Sequence, residues 1–68
     1  MDDLTKRFTA HEMSNDQQER AATIRSAGNY LAVVIQKNTL VGREQSLALT
    51  NIEQAVFWAN AGVAREGV

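Results

Sequence analysis

Apolar positions in the middle of the chain recur three and four residues apart: Ala21, Ile24, Ala27/Gly28, Leu31 and Val34/Ile35. That spacing puts one stripe along an α-helix. A second stripe follows through Ala48/Leu49, Ile52, Ala55/Val56, Ala59 and Gly62/Val63. Ser14-Asn15-Asp16-Gln17 has the form of a capping box. Ser14 accepts from the backbone of Gln17, and Gln17 reaches back to Ser14. Asp16 suits the positive end of the helix dipole. Lys37 and Asn38 are suitable closing residues, and a short connection runs to Gly42. The pattern predicts helices over 14–38 and 43–65, each about 35 Å long at 1.5 Å per residue. Equal lengths joined by a short loop predict an antiparallel hairpin. In residues 1–13, Leu4 and Phe8 stand four apart, which fits a short N-terminal helix or an arm. The expected fold is all-α, one hairpin domain over 1–68.

The two stripes leave apolar residues over. On the second helix Leu47, Trp58 and Ala61 share another direction, and Phe57 points a third way, near Thr50 and Glu53. Tyr30 and Val33 lie off the stripe of the first helix. A helix apolar on several sides is normally buried on several sides, and two helices alone cannot achieve that. Ala55, Ala59 and Gly62 add small residues that permit close helix approach. Size sharpens the point. A chain of 68 residues buries only about 60% of its unfolded surface, and such cores need a staple. With no cysteine and one histidine, disulfides and zinc clusters are excluded. Self-association is the staple that remains, so a homo-oligomer is expected.

Charge narrows the function. The net charge is −1, with both signs interspersed, which does not suit a binder of duplex nucleic acid. No apolar run approaches the roughly 20 residues of a membrane span. Met1-Asp2-Asp3 does not open a signal peptide, so a cytoplasmic protein is expected. There is no Ser/His/Asp arrangement, no HExxH and no phosphate-binding glycine loop. Glu12, Glu19, Glu44 and Glu53 read as solvated faces. No enzyme, cofactor or metal site is expected.

A small anionic ligand needs only a few cations and a ring. Thr5-Lys6-Arg7-Phe8-Thr9-Ala10-His11 packs two cations, a phenyl ring and an imidazole together. This suits phosphates and stacked bases, or equally a solvated arm whose Phe8 plugs the hairpin. Arg25 follows Ile24 and therefore points about 100° away from the seam, beside Gln18, Asn29 and Gln36. It is a surface arginine or a phosphate contact. Arg65 either complements a helix C-terminus or meets an anion between protomers. Asn60, polar between two alanines, fits a buried helix–helix hydrogen bond or, second, a ligand contact. Trp58 fits an interface anchor.

The run Arg43-Glu44-Gln45-Ser46-Leu47-Ala48-Leu49-Thr50, with Phe57-Trp58-Ala59-Asn60-Ala61 and Ala64-Arg65, resembles the phage anti-CBASS sponges. Their helical hairpin is shared with a sponge acting against Thoeris defence. The likeness covers the second helix and extends to Arg7-Phe8, His11 and Ile24-Arg25. It implies a short N-terminal helix and two long antiparallel helices assembled as a hexamer. It implies that cyclic dinucleotides are held between protomers and sequestered uncleaved in the host cytoplasm, with cyclic trinucleotides at a separate site. Carried residue by residue, it places base stacking on Phe8 or His11, phosphate contact on Arg25 and the second site on Arg65. The chain departs from the family pattern at Ala10, where many members carry an aromatic, and in a loop that lacks proline. The competing reading is an oligomeric, protein-binding hairpin with no nucleotide ligand, built on Leu47, Phe57 and Trp58.

Overall fold

A computed structural model describes residues 12–66. Two helices account for almost all of them: α1, Asn15–Asn38, and α2, Arg43–Ala64. They pack side by side as a hairpin. Contacts at both ends fix the direction as antiparallel. Gln17 near the start of α1 meets Val63 near the end of α2, and Thr39 after α1 meets Gln45 in the first turn of α2. The N-terminal helix or arm expected over 1–13 lies outside the described residues, save its last two positions.

The start of α1 follows from four residues. Ser14 is extended, and its Oγ accepts the Gln17 backbone N–H at 3.1 Å. The Ser14 N–H in turn donates to Gln17 Oε1 at 2.8 Å. Two amides that α1 itself cannot satisfy are thereby bonded. At the far end Asn38 Nδ2 donates to the Val34 carbonyl and Thr39 Oγ1 to the Ile35 carbonyl, each at 2.7 Å. The extended Thr39 then ends the helix. By contrast, α2 opens at Gly42 with no side-chain cap.

The seam between the helices is thin. Among the described residues only Gln17, Ala21 and Val63 are buried. Ile24, Gly28, Ala32, Ile35, Leu49, Ile52 and Val56 are half-buried. The helices approach closely at Gly28, where a Cβ would stand 2.5 Å from Val56 Cγ2. Only hydrogen fits there, so α1 and α2 come closer than any side chain allows.

This contact selects the row of α1 that faces α2. Ala27 and Leu31, counted in the apolar stripe, turn outward. Ala32 takes the place expected for Leu31. On α2, Ala55, Ala59 and Gly62 are exposed, and a Cβ at Gly62 would meet nothing within 4 Å. The small-residue face is therefore not spent on the hairpin. Tyr30, Leu47, Phe57 and Trp58 are also left uncovered, as their positions off the stripes implied.

Asn60 departs from expectation. No donor among the described residues reaches its buried Oδ1. With Gly28 opposite Val56, Asn60 falls level with the turn of α1 holding Ala21 and Ile24, which supply no side-chain donor. The buried polar bond between helices comes instead from Gln17, whose Nε2 donates to the Val63 carbonyl at 2.8 Å.

Candidate ligand-binding groove

Helical spacing puts Arg25, Asn29, Ala32 and Gln36 in one row on α1, flanking the seam. On α2 Leu49, Glu53, Val56 and Phe57 run beside them. Between these rows, above the close contact at Gly28, lies an open groove of about 510 Å³. Its floor is apolar, formed by Gly28, Ala32, Ile52 and Val56. Its rim carries the exposed residues Arg25, Asn29, Gln36, Glu53 and Phe57. An apolar floor with a few convergent polar groups is the usual composition of a small-molecule site.

This position of Arg25 corrects the expectation that it faces away from α2. A side chain about 100° from the seam is still on its flank, and Arg25 lines the groove while staying exposed. Glu53 and Phe57 are exposed, as a solvated face and a partner surface require, and they also line this groove. The antiparallel register was the signal for both. Once Gly28 meets Val56, Arg25 and the turn holding Glu53 and Phe57 flank one seam.

Phe57 also borders a shallower hollow of about 520 Å³ with Thr50, Glu53, Gln54 and Trp58. Its ring packs edge to face on Trp58, with centroids 5.1 Å apart and planes at 80°. Both rings stay mainly exposed, Phe57 at 64%.

Arg65 lies elsewhere. It caps α2 at the open end of the hairpin, its backbone N–H bonded to the Ala61 carbonyl at 3.1 Å. The structure does not bring it to the groove of Arg25. Phe8 and His11 lie outside the described residues.

The open end also holds a charged cluster. Arg20 donates through both terminal nitrogens to the Glu66 carboxylate, at 2.7 and 2.5 Å, and through Nε to Asp16 at 2.9 Å. The hydrogen bond from Arg20 holds Glu66 below the usual carboxylate range, and the bond to Glu66 raises Arg20 above the usual arginine range. The pair is solvated and spans the two helix ends; it is a structural tie. Among the described residues no group of three His, Cys, Asp or Glu side chains stands ready to hold a metal. No described helix is long and apolar enough to cross a membrane.

A two-helix scaffold with an open groove, apolar below and mixed in charge above, has the form of a binding module. The chain matches the family described as Acb2/Tad1, hairpin domain, over residues 1–64. It belongs to that family. No curated protein and no solved structure matches it.

Proposed function

We propose that this chain is a phage sponge for cyclic oligonucleotide immune signals. It binds cyclic dinucleotides, and cyclic trinucleotides at a second site, and withholds them uncleaved from CBASS-type defence in the host cytoplasm. Membership of the Acb2/Tad1 hairpin family over nearly the whole chain carries this reading. The groove adds physical support. Arg25 offers a planar fork of donors to a phosphodiester, and an apolar floor beside a ring accommodates a base.

In this reading Phe8 or His11 stacks on a base, Arg25 holds phosphate, and Arg65 serves the second site. The working form is a homohexamer of one-domain chains. Exposed Tyr30, Leu31, Leu47 and Trp58 support assembly, because an apolar surface of this extent on so small a chain marks an interaction face.

Incubation with a panel of cyclic di- and trinucleotides tests the proposal, read by thermal shift and then by chromatography after heat denaturation. A sponge gives a large shift and returns its ligand intact. Linear nucleotide formed in a protein-dependent way overturns the non-enzymatic reading. A flat panel favours the protein-binding hairpin instead. Light scattering at micromolar concentration tests assembly, and a stable monomer excludes any site shared between protomers.

A further inference from the structure

The groove contains a group that does not suit a purely phosphate-binding site. Glu53 stands on the rim with Arg25, and a carboxylate repels phosphodiesters. It is not there to neutralise Arg25, since the ion pairs among the described residues are those of Arg20 with Asp16 and Glu66. Two opposite charges thus share one groove, and among the described residues neither makes an ion pair or a side-chain hydrogen bond.

An ionised carboxylate only accepts hydrogen bonds, through two oxygens side by side. A guanine base presents N1–H and the N2 amino group as two adjacent, parallel donors. They match a carboxylate as the guanidinium fork does. Adenine presents one amino donor beside an acceptor nitrogen, which would face the second oxygen. The ribose hydroxyls are the same for both bases and do not discriminate. Phe57 follows Glu53 by one helical turn, so ring and carboxylate lie on one face of α2. A base stacked on Phe57 would turn its edge towards Glu53.

We propose that Glu53 is a base-reading residue that selects a guanine in the bound cyclic nucleotide, while Arg25 takes the phosphate. This rests on the sponge reading and adds a base preference to it.

Calorimetry with cyclic GMP–AMP and cyclic di-AMP tests it, since the two ligands differ in a single base. The parent protein should bind cyclic GMP–AMP about 5- to 150-fold more tightly, the discrimination expected of one well-matched bidentate base contact. Glu53→Gln replaces one acceptor by a donor and should collapse or invert that ratio. Arg25→Ala should weaken both ligands and leave the ratio in place. Equal affinities in the parent protein, or a ratio unchanged in a folded Glu53→Gln protein, overturn the assignment of Glu53 and leave the sponge reading standing. Failure of both ligands to bind the parent protein removes this inference and the dinucleotide site assigned to the groove, while the full panel of cyclic di- and trinucleotides decides the sponge reading itself.

Discussion

Gly28→Ala is a sharp probe of the hairpin, because two known effects oppose each other there. Alanine is the better helix former by about 0.8–1 kcal/mol in a helix interior. On an isolated α1 the substitution would stabilise. In the hairpin the new methyl carbon would lie 2.5 Å from Val56 Cγ2 and 3.6 Å from Ile52 Cγ2. The second distance is ordinary contact; the first is not. Relief requires the helices to separate or Val56 to leave its rotamer, and overpacking of this kind costs about 1–3 kcal/mol. The clash should win, leaving Gly28→Ala destabilised by about 1 kcal/mol. Val56→Ala removes the obstructing methyls and opens a gap, so it too should destabilise. Combined, the new methyl fills part of the gap. The double variant should then be more stable than the sum of the singles by about 0.5–3 kcal/mol. Urea unfolding followed by circular dichroism reads all four proteins, at one fixed concentration because association contributes to stability. Additive effects would show that α1 and α2 do not meet at Gly28 and Val56, and the register drawn from that contact would fall.

Three further outcomes follow from particular contacts. Arg25→Ala should weaken cyclic-dinucleotide binding by about 1.5–3 kcal/mol, the scale of a hydrogen bond to a charged group; unchanged affinity in a folded variant removes Arg25 from the site. Gln17→Ala takes away both the partner of the Ser14 amide and the buried donor to Val63, and should cost about 1–3 kcal/mol in thermal unfolding, whereas a neutral result would mean that the open end is held otherwise. Glu66 is depressed below its ordinary value of 4.5 by the bond from Arg20, so its contribution is present above that pH and is lost as pH falls through the lower folded value. Parent and Glu66→Gln proteins should therefore differ slightly in thermal stability at neutral pH and converge as pH falls through the lowered folded value, and a pH-independent gap would refute the tie.

The local features were readable because their causes are local. The capping box is written in four consecutive residues, and α1 begins where they place it. The side chains of Asn38 and Thr39 end it for reasons equally confined to one turn. What could not be read was which of two neighbouring apolar rows on α1 would face α2. Ala27-Leu31-Val34 and Ile24-Gly28-Ile35 have similar claims by periodicity. Close approach at a residue without a side chain decides between them, and that depends on Val56 from the other helix. Arg25, Glu53 and Phe57 inherit this ambiguity. Each was visible as a residue, but their meeting around one groove depends on register. Asn60 failed for a similar reason: its alanine neighbours marked it as buried, without revealing that the facing turn offers no donor.

The two helices differ in how they begin, and this sets where the hairpin opens. Helical hairpins ordinarily fray at their free ends, where nothing joins the chains. Here that end carries the capping box, the buried Gln17–Val63 bond and the Arg20–Glu66 tie. The loop end carries exposed Leu40 and Val41, and α2 starts without a side-chain cap. Local unfolding draws on the least protected backbone, so among the two helices amide exchange should be faster in the first turn of α2 than in the first turn of α1. The groove runs from Arg25 to Gln36 along α1 and ends beside Leu49 on α2. Its loop-side mouth therefore adjoins the uncapped start of α2. On the sponge reading a bulky cyclic ligand would use that mouth, and stiffening the entry to α2 should slow both its binding and its release, which stopped-flow measurement on a stiffened variant would check.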